Sequence, residues 1–230
     1  MKTYKYQLHT HTAPCSACAT MTPEELATAM YEGGYQGCVM TNHFMMGNTG
    51  INRDLSWEDF VKQYEIDYLA CKDAAAKYDK DVIFGIEENV HNMLEVVFYG
   101  VTPDMLYAHP ELANADYKTW YEVMHSYGVL CIQAHPFRER EYIPQAGMLP
   151  LAYIDGIEVY NVRNNDKNNS EAEEFAREHS NLVLTSGADA HYPHEVCHGG
   201  IEVGRRIRDG KELVEVLMSG DYYLLKETEK

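Results

Sequence analysis

The chain has 230 residues, 45% of them hydrophobic, and a formal net charge of −17. That length and composition suit one α/β domain with a sizeable core and exclude a disordered chain. The charge argues against a general role on nucleic acid or an anionic membrane, but leaves a small anionic substrate open, because bound cations reverse a local field.

A strand is expected over Tyr4–Leu8, followed by a helix in "TPEELATAMYEGG". There Thr22 caps the helix, Pro23 sits in its first turn, Glu25 completes a capping box, and Gly33 and Gly34 end it. Next come a strand over Gly37–Thr41 and a long helix, capped by Ser56, in "SWEDFVKQYEIDYLACKDAAAKYDKD". Strands at Val82–Ile86 and Glu95–Tyr99 have only a loop between them. Strands at Val129–Gln133, Gly156–Tyr160 and Leu182–Thr185 follow, with helices in "SEAEEFAREHS" and "GKELVEVLMSG". Repeated strand–helix units imply a mostly parallel sheet in one domain, open or closed into a barrel. The start "MKTYKYQLHTH" has no apolar signal core and no window reaches membrane-spanning length, so a cytoplasmic location is expected.

Residues able to bind metal follow the strands. They occur in "HTH", "TNHF", "GIEEN", "QAHPFR" and "SGADAH", and supply His9, His11, His43, Glu87, His135, Asp189 and His191. In parallel α/β folds the C-terminal strand ends converge on one face, where active sites are built. In an extended segment residues two apart share a face, about 6.5 Å between Cα atoms, so His9 with His11, and Asp189 with His191, can reach one cation or two adjacent ones. Seven such groups exceed what one tetrahedral ion needs. Imidazoles with carboxylates suit two or three Zn, Fe or Mn ions better than Ca or Mg.

"HxH", "TNH", "GIE", "AHPF" and "DAH", in this order, resemble the motifs of the polymerase-and-histidinol-phosphatase (PHP) family of metal-dependent phosphoesterases, from about Tyr4 to Ile201. The resemblance implies an α/β fold, a distorted seven-stranded (β/α)7 barrel spanning residues 1–230 as a single catalytic domain. It implies a first metal site of His9, His11, Glu87 and Asp189, a second with His43 and His191, and a third sharing Glu87 with His135. The sequence departs from the pattern in three places. Cys15 and Cys18 stand where many members carry an Asp or His after "HxH". Val97 lies near the position of a usual histidine, and Asn42 replaces the acidic neighbour of His43.

Of the six cysteines, Cys38 and Cys131 lie in apolar strands, and the spacing is not that of a disulfide framework. The "PCSAC" pair has no second pair to make a four-cysteine zinc site and does not open a helix as a redox pair would. Two options remain: a thiolate in the open second-site position, or ordinary loop cysteines. A structural or substrate-facing role is favoured, since a thiolate is unusual among hard ligands. Isolated His91, His109, His125, His179, His194 and His198 read as surface or core groups, with His91 also able to supply a missing third-site ligand. Glu88 should face away from Glu87.

The expected reaction is hydrolysis of a small phosphomonoester by metal-activated water. Asp189 or His191 would handle the proton and His135 would assist the leaving group, while Arg138 and Asn161 would contact substrate. Arg138 matches phosphate oxygens in a fork; its alternative is a surface salt bridge with Glu139 or Glu141. Arg163, Arg205 and Arg206 are weaker candidates. Rival readings are a metal-dependent amidohydrolase and a metal-binding PHP module without turnover. No stable nucleic-acid or membrane partner is expected, and the oligomeric state is open.

Overall fold

Local capping sets the helices that flank the sheet. Thr22 Oγ1 accepts the Glu25 N–H at 3.2 Å while the Glu25 carboxylate accepts the Thr22 N–H at 2.8 Å, starting α1 (Pro23–Glu32) as the sequence anticipates. Ser56 caps α2 (Trp57–Ala76) by accepting the Asp59 N–H. Both satisfy N–H groups that a helix start leaves without partners. The computed structural model describes residues 2–141, 143 and 146–226. Further helices are α3 (Pro103–Ala108), α4 (Tyr117–Ser126), α5 (Asp166–Glu178) and α6 (Gly210–Ser219), of which α3 and α4 were not anticipated.

The strands are β1 (Tyr4–Thr10), β2 (Gly37–Met40), β3 (Asp81–His91), β4 (Leu94–Tyr99), β5 (Leu130–Gln133), β6 (Gly156–Asn161), β7 (Val183–Gly187), β8 (Ile201–Val203) and β9 (Tyr222–Leu224). They form one sheet in the order β7-β6-β5-β4-β3-β2-β1-β8-β9. The seven strands read from sequence are present as consecutive neighbours. The expected seven-stranded (β/α)7 pattern is corrected in two respects. Among the described residues the sheet has nine strands, because β8 and β9, three residues each and too short to show a period, extend it antiparallel beyond β1. Strict strand–helix alternation also fails, because β4 runs antiparallel to both its neighbours, β3 and β5.

The sheet nearly closes on itself. Beyond β7, Ala190 bridges to Thr10, with the His11 N–H donating to the Ala190 carbonyl at 2.8 Å and the Ala190 N–H to the His9 carbonyl at 3.1 Å. One apolar cluster joins Leu8, Val39, Ile83, Val97 and Ile132 from β1–β5 to Leu213 and Leu217 of α6. Another gathers Phe44, Phe60, Tyr64 and Trp120 under the helices. Each fully buried large side chain contributes about 1.5–3 kcal/mol, which holds the strand ends carrying the polar residues in a fixed frame. Among the described residues no helix is long and apolar enough to cross a membrane.

Candidate metal centre

The strand ends bring all seven ligand-type residues named from sequence into one place. His9, within β1, and His11, just past it, both turn Nε2 toward Glu87, at 3.1 and 3.4 Å, and toward Asp189 Oδ1, at 3.7 and 3.2 Å. His43 follows β2 and is registered to Glu87 by a parallel bridge, placing its Nδ1 2.9 Å from Glu87 Oε2. His135, after β5, has Nε2 3.2 Å from Glu87 Oε1. The His191 ring stacks on that of His11 with centroids 4.4 Å apart. Glu87, fully buried on β3, is the hub.

An eighth group was missed. Glu95 of β4 places one carboxylate oxygen 3.6 Å from His43 Nδ1 and the other 3.5 Å from His135 Nε2. The sequence directed attention to Val97, which pairs with Glu87 across the β3–β4 ladder and packs in the apolar cluster. Glu95 lies two residues earlier on the same strand face, where period-two spacing finds it. His91 lies exposed at the β3–β4 hairpin against Tyr117, outside the cluster. Glu88 accepts the Met46 and Asn89 N–H groups, each at 2.8 Å.

His135 Nε2 hydrogen-bonds Glu87 Oε1 at 3.2 Å, but four other donor atoms of the cluster approach their neighbours without bonding. His9 Nε2, His11 Nε2, His43 Nδ1 and Glu87 Oε2 are buried and make no aligned hydrogen bond among the described residues. Buried polar atoms are otherwise almost always satisfied, and leaving one unsatisfied costs about 1–3 kcal/mol. The far side of three rings is engaged: Nδ1 of His9 with Glu158 at 3.2 Å, of His11 with Ser16 Oγ at 3.1 Å, and of His191 with the Asp189 carbonyl at 2.7 Å. Such bonds fix the tautomer and leave the Nε2 lone pair facing inward, as metal-binding histidines require. Among the described residues there are four sets whose donor atoms lie within 4.8 Å of one another: His11, His43 and His191; His9, Glu87 and His135; His9, His11 and Asp189; His43, Glu87 and Glu95. These nitrogen–oxygen sets fit divalent transition ions. The first set places His11 with His43 and His191, a grouping not anticipated from sequence.

Arg138 is neither a surface salt bridge nor a free fork. It is buried, donating from Nη1 to Asp189 Oδ2 at 2.6 Å, from Nη2 to Asn161 Oδ1 at 2.7 Å and from Nε to Asn164 Oδ1 at 2.8 Å. Asn161 is fully buried behind it, its amide donating to Glu158 Oε2 at 2.8 Å, and so is placed to brace Arg138 and Glu158 instead of lining the cleft. Gly187 makes room for this layer, since a Cβ there would stand 2.2 Å from Glu158 Oε1 and 2.6 Å from His9 Cβ. His135 and Asp189 hold left-handed backbone, φ 29° and 55°, a strain of about 1–3 kcal/mol each that persists where surrounding bonds over-determine it. Burial works against the charge of Asp189, but Arg138 and His9 hold its carboxyl well below the usual range. Glu87 is likewise held low against burial by His9 and His43, whereas burial and neighbouring Glu87 raise Glu95.

Above the cluster opens a cleft of about 510 Å³, lined among others by Cys18, Arg53, Asn89, Arg138, Arg163 and Asp189. Arg163, in this lining, pairs with Glu195 at 3.1 Å, whereas Arg206 pairs with Asp79 and Asp81 away from it. The two "PCSAC" cysteines part company: Cys15 is buried in the core, and Cys18 faces the cleft with Sγ 3.0 Å from His191 Nε2. Burial alone would raise the Cys18 thiol, but hydrogen bonds with His191 and His43 reverse this and bring it to about 6, while burial pushes half-buried Cys197 up to about 11. In metal-free protein, therefore, alkylation of Cys18 by iodoacetamide is expected to rise with pH through about 6 and level off above it, with Cys197 still slow at about pH 8. Peptide mapping of the label across this range checks this; equal labelling of the two residues would contradict it.

Comparison with known proteins agrees with this architecture. A PHP-associated sequence family matches residues 166–222. No curated protein matches the chain. A two-domain protein from Bacteroides vulgatus, described as containing a PHP-like metal-dependent phosphoesterase, superposes with TM-score 0.71 at 17% identity, over 98% of this chain and 65% of its own. An amidohydrolase from Chromobacterium violaceum superposes with TM-score 0.59 at 14% identity, over 98% of this chain and 99% of its own. The lesion-specific endonuclease of Pyrococcus furiosus gives TM-score 0.65 at 13% identity, over 97% and 58%. The chain thus spans under two thirds of the length of the first and third of these. At such identities the likeness establishes the fold, and the relatives' differing activities do not by themselves transfer. The chain thus shares its fold with a PHP-like phosphoesterase over nearly its whole length, and residues 166–222 carry a PHP-associated sequence pattern.

Proposed function

We propose that the protein is a metal-dependent hydrolase of phosphoric ester bonds acting on a small phosphorylated substrate, and that residues 1–230 form one catalytic domain. The observation that carries this is the convergence of buried nitrogen and carboxylate donors at the floor of the cleft, where His9 Nε2, His11 Nε2, His43 Nδ1 and Glu87 Oε2 have no aligned hydrogen bond among the described residues. His9, His11, His43, Glu87, His135, Asp189 and His191, joined by Glu95, would hold two or three Zn, Fe or Mn ions. When bound, such ions supply an activated water near neutral pH and offset charge on phosphoryl oxygens.

The chain's own groups divide the remaining work. Glu87 reaches four histidines through its two oxygens, so it is the residue able to serve adjacent sites at once. Asp189, kept ionised by Arg138, presents Oδ1 toward His9 and His11 and is placed to accept the proton of the attacking water. His191 is oriented by its bond to the Asp189 carbonyl. With two ions bound, His135, at the cleft wall, is placed to protonate the departing alkoxide; with three it serves as a ligand instead. Arg53 and Arg163 bring positive charge to the mouth of an otherwise acidic molecule, which favours an anionic substrate there. The net charge of −17 favours a small substrate over a nucleic-acid strand. Glu95 and Cys18 occupy neighbourhoods that the sequence pattern left short of ligands, which favours turnover over a binding-only module.

The test is a panel of phosphomonoesters, phosphodiesters, amides and lactones offered to protein reconstituted with Zn, Mn or Fe. Phosphate release that stops on chelation and returns with metal is expected from the monoesters. Amide or lactone hydrolysis without phosphate release would overturn the assignment.

A further inference from the structure

We infer that Cys18 is itself a metal ligand, its thiolate completing a site with His11, His43 and His191; this rests on the metal-centre reading above. Three of the four donor sets contain a carboxylate, but the set of His11, His43 and His191 has none. Glu87 and Asp189 border this set on its inner side, each within 3.5 Å of two of its histidines, and Cys18 is the acidic side chain that meets it from the cleft. Its Sγ lies 3.0 Å from His191 Nε2. The opposite nitrogen of that ring is engaged with the Asp189 carbonyl at 2.7 Å, so Nε2 carries the lone pair on the side where the sulfur stands.

Two further observations point to a ligand at this spot. His11 Nε2 and His43 Nδ1 are buried without an aligned hydrogen-bond partner, so the set is incomplete as it stands. The backbone around the thiol is fixed: Ser16 N–H donates to the Thr12 carbonyl at 2.9 Å, Ala17 N–H to the Asn48 carbonyl at 2.9 Å and Thr20 N–H to the His191 carbonyl at 3.2 Å. That last bond ties the cysteine loop to the residue its sulfur faces. On binding, the S–H bond breaks, its proton leaves to solvent through the cleft, and the sulfur lone pair forms the bond to the cation; no electron is transferred. A soft sulfur donor makes this site prefer Zn or Co over Mn or Mg, while the sites around Glu87 keep their harder character.

Cobalt(II) titration of the metal-free protein tests this. The expected result is cobalt uptake with intense near-ultraviolet thiolate-to-cobalt absorption, which Cys18→Ser abolishes while the visible bands from the remaining sites persist. On unmutated protein, Zn is expected to slow iodoacetamide labelling of Cys18 on the order of tenfold or more, because a coordinated thiolate is a poor nucleophile. Full cobalt uptake without thiolate absorption, absorption that survives Cys18→Ser, or labelling indifferent to Zn would overturn the ligand assignment and leave the metal centre standing. Failure to take up cobalt or zinc at all would overturn the metal centre with it.

Discussion

Glu87→Gln is expected to lower kcat/KM by about 10³–10⁴, equivalent to roughly 4–5.5 kcal/mol of transition-state stabilisation, and to release at least one metal ion per chain. The substitution keeps the size and one acceptor oxygen, so it isolates the charge and the second donor. Glu87 stands 2.9–3.4 Å from His9, His11, His43 and His135, with different histidines on its two oxygens. An amide turns an N–H₂ group toward one of those pairs, where a lone pair is needed. Elemental analysis beside steady-state kinetics reads both effects. Retention of all metal with activity within about tenfold would show that Glu87 is a buried structural acid.

Arg138→Ala is expected to destabilise the protein by about 3–5 kcal/mol, since it leaves Asp189 as a buried charge without its partner. For a chain of this size that lowers Tm by roughly 6–20 °C. The effect has a pH signature in the metal-free protein. Burial would raise the Asp189 carboxyl, and Arg138 is the main group that holds it down. A depressed carboxyl adds stability above its unfolded pKa, about 3.9, that is lost as pH falls through the folded value. Arg138→Ala raises the folded value, so this contribution disappears and the variant weakens at less acidic pH than the parent. Arg138→Lys keeps the charge without the three-way fork to Asp189, Asn161 and Asn164 and should fall between the two. Thermal melts from acid to neutral pH decide it; a loss below about 1 kcal/mol with unchanged acid behaviour would mean Asp189 is supported by other groups.

The sequence reading succeeded where chemistry repeats locally and fell short where it depends on a neighbouring strand. "HTH", "TNH", "GIE", "AHPF" and "DAH" each follow an apolar run, and strand ends in such a fold share one rim, so seven residues could be brought together without coordinates. Thr22 and Ser56 were legible because a cap is set by residues within one turn. Glu95 was not, because its role depends on the antiparallel register that sets Val97 against Glu87. Glu158 and Asn161 lie mid-strand and at a strand end, with nothing local to show that they brace His9 and Arg138. Arg138 stood out for its guanidinium, but its neighbours Glu139 and Glu141 were the wrong partners to weigh. Asp189, from a different strand end, claims it. β8 and β9 escaped because three residues carry no periodicity.

The central claim, that the converging lone pairs form a multi-ion centre, is tested most directly by elemental analysis of protein purified without chelator and again after metal is offered back. Two or three equivalents of Zn, Fe or Mn per chain is the expected result. One equivalent or less after reconstitution would contradict it.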